Sequence, residues 1–345
     1  MSHRLLSAVS LIVIGGAAAV VSSRPDPFSF LEPNIQLTPR QRAALDEGQA
    51  IARALPADDG YLAVFAAARL DVGPEALMSW TRAIDTLHRG AFVKAIGRFS
   101  SMPVESDLDG LRLDAGDLDA LRRCRPGDCK VKLAASEIGA VQQAIAAGGA
   151  DWRAAAERAF RRLLLARVEH HRARGLASLE PYADRETPAS IYEAFAGVVT
   201  RSPYLTSGLP ELVVALERPS LAAIPRSESL YYWSKEHYGS GKPVVSVTHV
   251  RYWMPDGTGT PAAVAASTQI FTSHYINGAL GLTLVLCEPD GSGCYLAYIN
   301  RTQTDLFDGL FGGIRRGIAR QRIESQGPAV IRALRDRLQS TPPSF

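Results

Sequence analysis

The last third of the chain carries the feature that most limits its fold. From Ser227 onward, five runs rich in aromatic and β-branched residues follow one another: "SESLYYWSKEHY", "VVSVTHVRYWM", "AAVAASTQIFTSHYI", "ALGLTLVLC" and "CYLAYIN". Alternation with a period of two gives each run one apolar face, and "GSGKP", "PDGTGTP", "NG" and "EPDGSG" bend the chain between them. Short connections make this an antiparallel meander. Asn277-Gly278 is the hairpin signal, because both central residues of a type I′ turn need positive φ. A two-residue turn there pairs Ile276 with Ala279, Tyr275 with Leu280, Ser273 with Leu282 and Phe271 with Leu284. Leu280, Leu282, Leu284 and Leu286 then share a face with Phe271 and Tyr275. Continuing the count opposes Cys287 to Cys294 and adds Tyr295, Ala297 and Ile299 to that face. Thr268, Thr272, His274, Thr283 and Tyr298 fall on the other.

An apolar sheet face needs a cover, and the next segment offers one. "TDLFDGLFGGIRRGIARQRIESQGPAVIRALRDRL" sets Phe307, Phe311, Ile314 and Ile318 at helical spacing, with Val330, Ile331, Leu334 and Leu338 beyond an expected break at Gly327-Pro328. Gly309, Gly312, Gly313 and Gly317 each cost about 1 kcal/mol in a helix relative to alanine. Two explanations stay open: close packing on the sheet, or room left for a ligand.

Upstream, "LTPRQRAALDEGQAIARAL" predicts a short helix carrying Leu45, Ile51 and Leu55, "YLAVFAAARLDV" a strand, and "GPEALMSWTRAIDTL" a helix. The acidic stretch from Asp107 to Asp119 lacks calcium-loop spacing and reads as a solvated loop. "DWRAAAERAFRRLLLARVEHHRARG" predicts an amphipathic helix from Asp151 to Gly175. Its arginines suit a solvated outer face, with a membrane-surface contact as the alternative. His170 and His171 read as surface histidines.

Strand, helix, irregular middle, meander and long last helix: this order resembles the helix-grip fold of START-like (SRPBCC) domains. "YLAVFAAARLDVGPEALMSWTRAID", "STQIFTSHYINGALGLTLVL" and "GLFGGIRRGIARQRI" carry the resemblance. It implies an α+β fold in which a curved antiparallel sheet wraps a long C-terminal helix. One domain would span 38–340, with a helical insertion at about 134–226. Such folds enclose an apolar cavity for a lipid, sterol or polyketide, whose walls would here be Phe271, Tyr275, Leu280, Leu282, Leu284, Tyr295, Phe307, Phe311 and Ile314.

The N-terminus sets the compartment. Arg4 precedes an uncharged apolar run from Leu5 to Val21, so residues 1–23 read as a secretory signal or, uncleaved, as an anchor. An exported chain meets oxidant, which favours disulfides joining Cys124 to Cys129 and Cys287 to Cys294. A four-thiolate zinc site is the sharper alternative, and the spacings argue against it. A net charge of +3 is too small to imply nucleic acid. No catalytic motif appears. His249, His274, Tyr275, Tyr298 and Arg301 are the polar candidates. The function expected is an exported carrier of a hydrophobic small molecule or lipid, without metal or cofactor. A solid-core interaction protein and an enzyme acting on such a ligand are the alternatives.

Overall fold

The computed structural model describes residues 26–90, 92–220, 224–237, 241–255, 261–310 and 312–343. The expected signal segment lies outside them, as does Phe311. Helix α1 (Pro39–Asp46) opens with a capping box between Thr38 and Gln41. It ends sooner than expected: Gly48 takes φ 80°, and Ile51 belongs to strand β1 (Ile51–Ala54). Then come β2 (Tyr61–Leu70), α2 (Glu75–Arg82), α3 (Ile84–Leu87) and β3 (Val93–Arg98). Six helices follow: α4 (Ala115–Arg123), α5 (Ala135–Gly148), α6 (Trp152–Arg174), α7 (Ile191–Thr200), α8 (Pro203–Gly208) and α9 (Pro210–Glu217). The meander is β4 (Ser227–Glu236), β5 (Val244–Trp253), β6 (Ala263–Thr272), β7 (Ile276–Cys287) and β8 (Cys294–Thr304), and α10 (Gly312–Leu338) ends the fold. The protein is α+β, with one eight-stranded antiparallel sheet in the order β1-β2-β8-β7-β6-β5-β4-β3.

The β7–β8 register is as expected, with Cys287 opposite Cys294 and Leu284 opposite Ala297. The β6–β7 register is not. Val264 pairs with Leu284, Ala266 with Leu282 and Thr268 with Leu280, so Asn277 and Gly278 lie inside β7. The chain reverses at Ser273–Tyr275, where Tyr275 takes φ 64°. Both residues of the supposed turn have other work. A Cβ at Gly278 would stand 2.7 Å from Ala194 on α7, and Asn277 Oδ1 accepts a hydrogen bond from Lys132 Nζ at 2.8 Å. Glycine here permits a helix to approach a strand, the second meaning such a residue can have. Phe271 stays on the leucine face because the β5–β6 ladder skips Ile270 between Phe271 and Gln269.

The helical middle, not α10, covers that face. Leu280, Leu282, Leu284, Tyr295 and Phe271 join Phe160, Leu164 and Val168 of α6, Phe195 of α7 and Leu212 of α9 in one core. The stripe of α6 is therefore spent inside. Its Arg167 is buried too, bonded to Glu137 at 2.6 and 2.7 Å. His171 is likewise no surface residue: it is fully buried between Tyr231 Oη (2.8 Å) and the Leu216 carbonyl (3.1 Å).

Helix α10 lies on the opposite face, along β1 and β2 and against α2. Ile331 and Leu338 are buried there, whereas Ile314 is 64% and Ile318 47% exposed. It runs unbroken through Pro328, an exposed stretch where water can take the orphaned carbonyl. The glycines divide. A Cβ at Gly327 would meet Ala52 of β1 at 2.5 Å, while Gly313 and Gly317 face open space. Disulfides join Cys124 to Cys129 and Cys287 to Cys294, which fits an oxidising, exported setting. No group of metal-ligating side chains occurs among the described residues, nor any helix long and apolar enough to cross a membrane.

Candidate functional site

Strand alternation puts Tyr232, Ser234 and Glu236 of β4 on the face away from the leucines, together with Thr248, Ser267, Thr283, Tyr298 and Asn300 of the neighbouring strands. One end of this face is sealed. Leu77, Met78, Trp80 and Ile84 of α2 and α3 pack there on Tyr252, Ala263, Val285 and Leu296. Elsewhere the face is polar and only half-buried: Ser267, Thr283, Tyr298 and Asn300 all keep open surface although they lie on the inner strands of an eight-stranded sheet. Helix α10 flanks this region, packed on β1 and β2 while Arg337, near its far end, reaches the Leu87 carbonyl of α3.

The groups in this recess lie close together. Ser234 Oγ donates to Glu236 Oε1 at 2.7 Å and lies 3.0 Å from Ser246 Oγ. The His88 ring stacks obliquely on Tyr232, with centroids 5.3 Å apart.

Desolvation marks the same groups. Packing against Tyr232, with a smaller push from Arg337, lowers the His88 imidazole, although the residue keeps exposed surface. Burial raises the Glu236 carboxyl above its ordinary range, offset in part by the Ser234 hydrogen bond. Burial also lifts Tyr298 to about 12, and Tyr232 higher still. A carboxyl whose burial outweighs its one hydrogen bond is a pattern that functional sites concentrate.

The residues singled out in the sequence mostly lie elsewhere. Phe271, Leu280, Leu282, Leu284 and Tyr295 are packed under the helical middle, Phe307 is buried, and Ile314 faces outward. Tyr275 sits in the reversal before β7, its Oη accepting from the Lys242 backbone N–H at 3.0 Å. Of the polar candidates, His249 is buried on the leucine face against Tyr231, and His274 contacts Asp117 at 3.2 Å. Arg301 is buried on the leucine face, opposite Leu280. Tyr298 alone enters the recess. Glu236, Tyr232 and His88 were missed. The signal was present in "YYWSKEHY", where Tyr232, Ser234 and Glu236 alternate with Tyr231, Trp233 and Lys235; a polar alternate face ordinarily means solvent.

A second cleft, of about 740 Å³, opens between the Cys124–Cys129 loop, residues 184–189 and residues 303–308. Its charges satisfy one another. Lys132 Nζ lies 2.8 Å from Asp305, and Arg185 bonds Asp305 and Asp308 at 2.9 Å each. No protein-family model matches the chain, and no curated protein matches it either.

Proposed function

We propose that this protein is an exported START-like carrier, holding a ligand with an apolar body and a hydrogen-bonding end between the sheet and α10. The observation that carries the reading is the set of half-buried polar side chains, Ser267, Thr283, Tyr298 and Asn300, on inner strands of the sheet. Topology supports it as well: the first long strand pairs with the last strand of the meander, and α2, α3 and α10 share one side. Ser267, Thr283, Tyr298 and Asn300, with Tyr232 and Glu236 toward β4, supply the polar end, beside the apolar patch that α2 and α3 cover. Pockets of this composition, mostly apolar with a few converging polar groups, are the usual form of small-molecule sites.

Native mass spectrometry with decanol tests the proposal. One decanol per chain is expected, and Ser267→Leu, which projects a larger side chain into the recess, should abolish uptake while the fold persists. No uptake by the unaltered protein, or unchanged uptake by the variant, overturns the reading.

A further inference from the structure

Exposed apolar side chains gather at the start of α10. Leu310, in the turn before it, is 100% exposed, Ile314 64% and Ile318 47%. A single apolar side chain in water is ordinary, but three at intervals of four residues make a patch. Ile314 and Ile318 point away from the protein, since Gly312, Ala319 and Ile323, on the opposite side of the helix, are among its least exposed positions there. A Cβ at Gly313 or Gly317 would meet nothing, so no other part of the described chain covers this stretch. Its charge is of one sign. From Gly309 to Ile323 the chain has Arg315, Arg316, Arg320 and Arg322 and no acid. Arg316 pairs with Asp59 at 2.7 Å, whereas Arg315 donates to the carbonyls of Leu306 and Asp308, contacts that leave its charge whole. Arg320 and Arg322 are exposed.

We propose that this face docks on an anionic phospholipid surface, with Leu310, Ile314 and Ile318 entering the boundary between headgroups and acyl chains while Arg315, Arg320 and Arg322 meet the phosphates. The helix lies in the interface, since it is not apolar enough to cross a bilayer. Arginine carries its charge on a long apolar stem, so lipid contact and phosphate contact are made together. A second copy of the chain fits less well, because pairing the face with itself sets the same arginines against one another. Docking needs no ligand in the recess, so its failure and that of the carrier reading are separate events.

Quenching of tryptophan fluorescence by brominated lipid reads the contact locally in the full chain, with the unaltered protein as background. Vesicles of brominated phosphatidylglycerol should quench Ile314→Trp and spare Val214→Trp, an exposed position on α9 across the sheet. Brominated phosphatidylcholine, or high salt, should weaken the effect at least about fivefold, since attraction to the anionic surface is lost or screened. In the Ile314→Trp chain, Arg320→Gln should raise the lipid needed for half-quenching about fivefold. Leu310→Gln with Ile318→Gln should raise it at least about tenfold. No quenching at position 314 overturns the membrane in favour of a protein partner; equal quenching at position 214, or by the neutral lipid, overturns this face as its anchor. Emission from Ile314→Trp that shifts to the blue with protein concentration, without vesicles, gives the face to a second copy and also overturns the proposal. Ile318→Trp repeats the reading one turn on, so the test is decided even where the first variant fails to fold.

Discussion

The two faces of the sheet solve opposite problems with the same strands. Leu282 and Thr283 are adjacent on β7, yet Leu282 is 1% exposed beneath the helical middle while Thr283 keeps open surface in the recess. On one side the helical middle packs its apolar side chains onto the strands. On the other, α2 and α3 seal one end of the sheet and α10 packs at its edge, leaving polar groups between. The covered face holds the larger share of the buried apolar side chains. Apolar alternation in a strand says only that a face is covered, and here the more apolar face marks the scaffold.

Truncation gives the widest contrast. Leu282→Ala should lower unfolding free energy by about 2–5 kcal/mol, because the fixed helices cannot collapse onto the void. Thr283→Ala, one residue on, should cost less than about 1 kcal/mol. Urea unfolding of the two variants side by side checks the pair; equal losses would mean both faces are packed alike.

Acid should act on the buried histidines of the solid face, His171 and His249. Burial takes His171 down to about 4 and His249 well below the ordinary imidazole value. Their folded-state pKa lies below the unfolded one, so the unfolded chain binds protons first. The contribution is intact above pH 6.5 and is lost as pH falls from there to about 4. For His171 the loss amounts to about 3 kcal/mol over that window. His171→Gln should flatten the stability profile between pH 6.5 and 4 relative to the unaltered protein, as followed by urea titration. An equally steep profile would place the proton uptake elsewhere.

Overfilling reverses the roles. Ala266→Leu adds bulk to a fully buried position and should destabilise by about 1–3 kcal/mol, whereas Ser267→Leu should leave the melting temperature nearly unchanged. A comparable fall in both would show that the recess is already full. The smallest effect concerns α10: with open space beyond Gly317, replacing it by alanine should raise stability by up to about 1 kcal/mol. A loss there would reveal a close contact.

Much of this fold was legible in the sequence. The meander, the strand–helix pair before it, the limits of α6 and the Cys287–Cys294 pairing all follow from local alternation and turn chemistry, which act over a few residues. The recess did not follow, because it depends on which side of the sheet each helix chooses. Asn277-Gly278 misled for the same reason. Its glycine answers to α7, which comes from a part of the chain about eighty residues earlier.

The place of β2 in the sheet has a kinetic meaning. Its outer neighbour β1 is short, and its long partner is β8: Tyr61 pairs with Gln303 and Leu70 with Cys294. Most of the chain must therefore be present before β2 can be closed in. Until then "LAVFAAA" has only the short β1 beside it and presents an open, adhesive edge, the kind of segment that recruits the wrong neighbour. Contacts so far apart in sequence make folding slow. For a chain delivered from its N-terminus, the decisive event comes late: assembly waits on β8, and a holdase shielding the early strands would be most valuable in that interval.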